Sequence, residues 1–112
     1  MAEVCLQKKI SICSDEIHSD LVFSGYQHTP IASLDPEISA ATVTLLAPSK
    51  TFNIAGLECS AMICQNPDLR GKLIEARRGL LGGVNLLGQE AAIAAYKGGG
   101  EWLTEILKLL EK

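Results

Sequence analysis

Apolar residues fall into short runs that polar, Gly- or Pro-containing segments separate. Runs at residues 10–14, 42–47 and 58–64 predict three strands. The first run is apolar at nearly successive positions, which is typical of a parallel strand buried on both faces. Too few residues separate the second and third runs for a helical crossover, so we expect that pair of strands to run antiparallel.

Helical patterns fill most of the rest of the chain. Residues 2–9 mix helix formers with apolar positions and predict a helix. Asp35 followed by Pro36 predicts a short helix to Ala41, because an acidic N-cap and Pro at the first helical position mark a helix start. Residues 16–35 show no regular pattern and predict an ordered loop.

The C-terminal half is predicted to be helical. Asn66-Pro67 opens one helix, and residues 89–97 form an alanine-rich second one. Three glycines at 98–100 interrupt the pattern before a last helix at residues 101–112. Two apolar stripes indicate packed faces, namely Leu69, Leu73, Ala76 and Leu80 in the first helix and Leu103, Ile106, Leu107 and Leu110 in the last.

At 112 residues the chain is long enough for one domain. The chain is 47% apolar but only 4% aromatic, and its mean hydropathy is +0.20. Such a composition is typical of an aliphatic interior that has lost some of its neighbours. Because monomers rarely expose large contiguous apolar patches, we expect a homo-oligomer formed through apolar surface.

Charge and cysteine spacing narrow the function classes. A net charge of −3 and a pI of 5.3 argue against nucleic-acid and anionic-membrane partners. The four cysteines form no CxxC pair, and neither histidine stands at ligand spacing from a cysteine pair, so no metal site is predicted. The N-terminal residues contain no basic and apolar leader pattern, and we predict a reduced, cytoplasmic protein.

Lys50 is the candidate for chemistry. It follows the apolar run 42–47 and precedes a polar turn that ends at Gly56. Desolvation of an amine at the end of a buried strand favours the uncharged form, whose lone pair attacks carbonyl carbon. We interpret Lys50 as an imine-forming lysine, although most lysines in such positions are simply solvated.

Two motifs give this interpretation a wider context. Residues 14–18 are Ser-Asp-Glu-Ile-His, and residues 48–56 are Pro-Ser-Lys-Thr-Phe-Asn-Ile-Ala-Gly, with Asp15 and Lys50 35 positions apart. In this order the motifs resemble the fold type I pyridoxal-phosphate enzymes of the class I/II aminotransferase family. The resemblance is greatest to its C–S β-lyase branch, the cystathionine β-lyases and cystalysins.

The resemblance implies a fold and a cofactor. The expected fold is α/β, a three-layer fragment of the large domain with about three strands in a mixed, mostly parallel sheet plus C-terminal helices, and without the small domain. The resemblance makes residues 1–112 a single partial domain. The implied cofactor is pyridoxal 5′-phosphate, with an amino acid as the small-molecule substrate and a dimer as the assembly. Binding of the cofactor by a fragment of this length is expected to be weak or absent.

The resemblance also implies roles for four residues. Lys50 would be the catalytic residue that forms the Schiff base with the cofactor and acts as the base at Cα. Asp15 would pair with the pyridine nitrogen, Ser49 would donate to the phosphate, and His18 would lie near the phenolic oxygen of the cofactor. A polar loop histidine is an equally good interpretation of His18.

Two departures from the aminotransferase pattern favour the lyase branch. Many aminotransferases carry a phosphate-binding arginine eight residues after the lysine, where this chain has Glu58. Three residues before the lysine it has Ala47 in place of a hydroxyl residue. We therefore expect a C–S β-lyase fragment that is not catalytically competent alone, with an aminotransferase fragment and an inert truncated product as alternatives.

Overall fold

The structure, a computed structural model, describes residues 1–112. It contains the predicted strands and helices in the predicted order, together with a short helix at Pro48–Thr51 that the pattern does not predict. The elements are α1 (Ala2–Gln7), β1 (Ile12–Asp15), α2 (Pro36–Ala41), β2 (Thr42–Leu46), α3 (Pro48–Thr51), β3 (Ala61–Cys64), α4 (Pro67–Ala76), α5 (Leu86–Gly98) and α6 (Gly100–Leu110).

The three strands form one sheet with the order β1-β2-β3. Strands β1 and β2 pair in parallel, and the register runs from Ile12 opposite Thr42 to Asp15 opposite Leu45. The Glu16 N–H continues the ladder by donating to the Leu45 carbonyl at 3.0 Å. The sheet is mixed and the fold is α/β, as predicted, and the carboxyl ends of β1 and β2 lie at the same edge.

Backbone packing divides the chain into two compact units. The first unit comprises Met1–Glu16, Thr29–Leu45 and Met62–Gly83. It contains β1, nearly all of β2 and β3, and helices α1, α2 and α4. Its buried apolar side chains are few, and the strand hydroxyls supply much of the remaining buried surface; the buried residues include Ile38, Val43, Cys64, Ser14, Thr42 and Thr44.

The second unit comprises Ile17–His28, Leu46–Ala61 and Val84–Lys112. It contains α3, α5 and α6 together with the segments that flank α3. The most deeply buried side chain in this unit is Thr51, which has no exposed surface. A fully buried polar side chain requires a hydrogen-bond partner. The partner of Thr51 is Asp20.

Several helix and strand bounds differ from the predictions. The polar segment after β2 is not a simple turn, because Pro48 starts the one-turn helix α3 and a 3₁₀ turn follows at Ala55–Leu57. Helix α4 ends at Ala76, and Gly79 adopts a φ of 72° that stops any continuation. Leu80 is therefore not part of the apolar stripe and is exposed.

Strand β1 is less buried than its apolar sequence predicts. Ser14 is its only buried residue, whereas Cys13 is exposed and Ile12 is half-buried. The strand lies at one edge of the sheet, so it has a neighbour on one side only. The prediction of burial on both faces is wrong for this strand, but the prediction of parallel pairing is confirmed.

The predicted cap of helix α2 is confirmed and gives a direct stability test. The Asp35 carboxylate accepts a hydrogen bond from the Glu37 N–H at 2.7 Å, and Pro36 follows at the first helical position. We expect Asp35→Ala to lower the free energy of unfolding by about 1 kcal/mol, or roughly 4 °C in Tm for a domain of this size. Asp35→Asn keeps the acceptor, and equal thermal shifts for both variants would contradict the capping role.

Candidate functional site

Asp15 is held between two anchored neighbours. It is the last residue of β1, and its side chain is exposed. On either side, the Ser14 hydroxyl donates to Glu16 Oε1 at 2.9 Å, and the same oxygen accepts from the Ile31 N–H at 3.2 Å. Glu16 is buried with 6% of its surface exposed. This network fixes the strand end and joins it to the 3₁₀ turn Ile31–Ser33.

Lys50 and Ser49 lie in α3, which follows β2 after the single residue Ala47. Ala47 has extended dihedral angles and Pro48 occupies the first helical position, so the chain changes from strand to helix within two residues. Lys50 is exposed and Ser49 is half-buried. The Ser49 carbonyl accepts from the Ile54 N–H at 3.1 Å, which closes the turn behind the helix.

A partly buried hydrogen bond joins α3 to the turn that contains His18. Thr51 Oγ1 donates to Asp20 Oδ2 at 3.0 Å, and Thr51 is fully buried. In that turn the His18 carbonyl accepts from the Leu21 N–H at 2.9 Å, and the His18 side chain is exposed. Thr51, which follows Lys50 directly, is therefore bound to the segment that contains His18.

Phe52, the C-cap of α3, packs among aromatic rings of the two last helices. Its centroid lies 5.8 Å from that of Tyr96 in a T-shaped pair and 6.1 Å from that of Trp102 in a tilted pair. Both geometries are favourable for aromatic rings. Burial raises the pKa of the Tyr96 phenol, and the nearby Asp20 and Cys59 raise it further. We refer to Phe52, Tyr96, Gly99 and Trp102 as the aromatic socket.

The loop after His18 is also attached to the C-terminal end of α6. Both the N–H and the hydroxyl of Ser24 donate to the Glu111 carboxylate, the hydroxyl at 2.8 Å. The backbone hydrogen bond, and then the hydroxyl, hold the pKa of Glu111 below its ordinary value of 4.5.

This attachment predicts a pH-dependent contribution to stability. A carboxylate whose folded pKa is lowered stabilises the fold above its unfolded pKa, and the contribution disappears as the pH falls through the folded value. We expect Glu111→Gln to lower Tm at neutral pH, with a difference from wild type that shrinks below pH 4.5. Glu90→Gln on α5 is the matched control. A Tm difference that stays constant down to acid pH would contradict this origin.

The four predicted site residues divide between the two units. Asp15 lies in the first unit, whereas His18, Ser49 and Lys50 lie in the second. Within the second unit, Ser49 and Lys50 share one helical turn and the Thr51 hydrogen bond connects that turn to the His18 segment. A carboxylate, an amine, a hydroxyl and an imidazole are the donor and acceptor types that a pyridine ring with aldehyde, phenol and phosphate groups requires.

Sequence reasoning missed the residues that support this set. Asp20, Thr51, Phe52 and Gly99 received no structural role, although Thr51 and Phe52 stand next to Lys50 within the same motif. Thr51 and Phe52 could have been identified from their positions directly after the candidate lysine. A buried hydroxyl needs a hydrogen-bond partner, and a buried aromatic ring packs against other rings.

Two other features bear on function. No group of three or more His, Cys, Asp or Glu side chains lies together in a metal-binding arrangement. No helix combines the length and the apolar content that crossing a membrane requires.

Comparison with known proteins matches the whole chain to one family. The family model of aminotransferase class I and II covers residues 1–112. The chain is 46% identical over 113 residues to cystathionine beta-lyase PatB of Bacillus subtilis (strain 168), an alignment that covers 100% of the chain and 29% of that lyase. It is 30% identical over 112 residues to the aspartate aminotransferase of Geobacillus stearothermophilus, with 100% and 28% coverage.

The fold matches solved structures as well. Cystalysin from Treponema denticola, whose crystal structure contains pyridoxal 5′-phosphate, superimposes with a TM-score of 0.91 and 40% identity. That match covers 96% of this chain and 27% of cystalysin. The chain thus spans less than a third of the length of each of these relatives.

Proposed function

The chain belongs to the aminotransferase class I and II family, and we propose from that premise that it carries cofactor-binding residues of a pyridoxal-phosphate-dependent C–S β-lyase. The observation that carries the proposal is the end of the parallel strand pair. Asp15 pairs with Leu45, and β2 continues after Ala47 into the helix of Ser49 and Lys50. Open α/β sheets bind their ligands at the carboxyl ends of such strands.

Pyridoxal 5′-phosphate is the cofactor of this family, and when bound it withdraws electrons from the Cα of an amino acid. In our proposal Lys50 would hold the cofactor by condensing its amine with the aldehyde, with loss of water. Once the substrate amine has displaced it, the free Nζ would take the proton from the substrate Cα. The Asp15 carboxylate would hold a proton on the pyridine nitrogen through a charge-assisted hydrogen bond.

Two further residues orient the cofactor in this proposal. The Ser49 hydroxyl would donate to the phosphate, and the His18 imidazole would lie beside the phenolic oxygen. Both side chains belong to segments that the Thr51–Asp20 hydrogen bond joins, which gives them a fixed support. Preorganised donors are the main means by which a protein tunes a bound cofactor.

Glu58, Ala47 and the sequence identities to two relatives favour a lyase over an aminotransferase within the family. Glu58 stands where many aminotransferases have a phosphate-binding arginine, and it is exposed with a left-handed φ of 51°. Ala47 is buried and offers no hydroxyl. The 46% identity to the Bacillus lyase exceeds the 30% identity to the Geobacillus aminotransferase. The aminotransferase function is the second candidate, since the catalytic lysine and the aspartate would serve either reaction.

The reaction is best tested in a chimera. In this grafted lyase, residues 1–112 replace the matching 29% of the Bacillus subtilis lyase. We expect the grafted lyase to release pyruvate and a thiol from cystathionine. Amino transfer to a keto acid without thiol release would reverse the choice in favour of an aminotransferase.

The chain alone is proposed to be incompetent in catalysis. Mixed with saturating pyridoxal phosphate, it should show little yellow colour, and any label that borohydride fixes should lie on Lys50. A colourless, unlabelled chain would support an inert product that retains packing and association only. Labelling of exposed lysines in proportion to their exposure would contradict a special role for Lys50.

The exposed apolar side chains underlie the proposed assembly. On β3, Met62 and Ile63 are 46% and 48% exposed, and Leu86 and Leu87 on α5 are 70% and 71% exposed. We propose that such surfaces form a homo-oligomer, most simply a dimer, in a cytoplasmic protein whose small-molecule partners include the amino-acid substrate and the cofactor.

A further inference from the structure

We propose that Gly99 is a positioning residue for Lys50, acting through Phe52. This inference rests on the proposed role of Lys50 and adds a residue from a different part of the chain. Gly99 lies between α5 and α6, in the run of three glycines whose pattern alone indicates only an interruption.

Among the glycines of the chain, Gly99 alone would place an added Cβ against the Phe52 ring. A methyl group on Gly99 would overlap Phe52 Cε1, lie 2.7 Å from Cδ1 and lie 2.5 Å from the Ala95 carbonyl oxygen. Side-chain carbon atoms do not approach other atoms so closely, so any larger residue forces Phe52 or the helix end to move. The φ of Gly99 is −82°, so the requirement is for space and not for an unusual backbone conformation.

The two neighbouring glycines have no such requirement. A methyl group on Gly98 or on Gly100 would meet no atom within 4 Å. If the run of glycines served only as a flexible connection, the three positions would be equivalent. The structure instead assigns one of them to the aromatic socket.

Phe52 connects Gly99 to α3, the helix that contains Lys50. The Phe52 N–H donates to the Pro48 carbonyl at 2.9 Å and so closes the single turn that contains Ser49 and Lys50. Thr51, between Lys50 and Phe52, is fixed on the other side by Asp20. Both residues that follow Lys50 are thus anchored, one by a hydrogen bond and one by ring packing. A one-turn helix has little stability of its own and takes its geometry from such anchors.

The test compares Gly99→Ala with Gly98→Ala and Gly100→Ala in the full chain. The first readout needs no cofactor and is hydrogen exchange at the Phe52 amide. We expect this amide to exchange roughly tenfold faster in Gly99→Ala than in wild type, because the turn opens more readily. Both control variants should exchange at the wild-type rate.

The second readout is the yield of borohydride-fixed label on Lys50 with pyridoxal phosphate, relative to the label on Lys72 of α4. Displacement of a reacting group by about 1 Å costs up to roughly 100-fold, so we expect at least a tenfold loss of this ratio in Gly99→Ala. Loss of folding would also lower this ratio, because Lys72 is exposed whether or not the chain is folded. The comparison therefore requires that the far-UV circular dichroism and the Tm of Gly99→Ala match those of the two control variants.

A second variant covers the case in which Gly99→Ala fails to fold. Phe52→Leu shortens the side chain and leaves the socket partly empty, and it should change both readouts in the same direction by a smaller factor. Wild-type exchange and labelling in both Gly99→Ala and Phe52→Leu would overturn the inference. If the isolated wild-type chain takes no label on Lys50, the same variants are labelled in the grafted lyase. Absence of label on Lys50 there would overturn the proposed function, and the exchange data alone would then decide the role of Gly99.

Discussion

Replacing Lys50 with alanine in the grafted lyase is expected to lower kcat for pyruvate release from cystathionine by about 10²- to 10⁴-fold, the usual effect of removing a general base. The loss follows from the proposed double use of Nζ, which binds the cofactor aldehyde and takes the Cα proton. The measurement is the steady-state rate of pyruvate formation, together with the yield of label that borohydride fixes at position 50.

Two control variants make this result specific. Lys72→Ala removes an exposed lysine from α4 and should leave the rate unchanged. Lys50→Arg keeps the positive charge but removes an amine that can lose its proton near neutral pH, so it should be as inactive as the alanine variant. An active arginine variant would show that charge at position 50, and not nucleophilic amine chemistry, supports the reaction.

Sequence alone could predict the structural role of a residue where that role depends only on the few residues beside it in the chain. Asp35 and Pro36 predict the start of α2 because a cap acts over three residues, and the structure confirms both the cap and the helix bounds. The position of Asp15 at the end of β1 also follows from the apolar run that precedes it. The family resemblance then related Asp15 to Lys50, which neither run could do.

The supporting residues were missed for a different physical reason. The Thr51–Asp20 hydrogen bond joins residues that are 31 positions apart, and nothing in the spacing of either residue indicates a partner. Gly99 stands in a run of three identical residues, and only the approach of the Phe52 ring distinguishes it from its neighbours. The first contact joins α3 to a loop and the second joins the end of α3 to the end of α5, and periodicity along one element cannot reveal either.

For β1, the sequence predicted the parallel pairing correctly but not the burial of its side chains. The apolar sequence of β1 is typical of a strand covered on both faces, but here the sheet has three strands and β1 lies at its edge. The relatives are more than three times as long as the segment that this chain matches. We interpret the exposed side chains of β1 and β3 as surfaces whose neighbours, in those relatives, belong to the remaining length.

Asp15→Asn in the grafted lyase is expected to lower kcat by roughly 10³-fold. In our proposal the carboxylate keeps a proton on the pyridine nitrogen. An ion pair of that kind at about 4 Å and an effective dielectric constant of 20 is worth about 4 kcal/mol, or close to three powers of ten in rate. The amide has nearly the same shape and can still accept a hydrogen bond, so the substitution removes the charge and little else.

The control for this substitution is Asp35→Asn. It makes the same chemical change at the cap of α2, where the amide oxygen still accepts from the Glu37 N–H, and the rate of pyruvate release should not change. The outcome that would contradict the role of Asp15 is an asparagine variant with wild-type kcat and unaltered labelling of Lys50. The carboxylate would then serve only to solvate the end of β1, and the acid that protonates the ring would have to come from another residue.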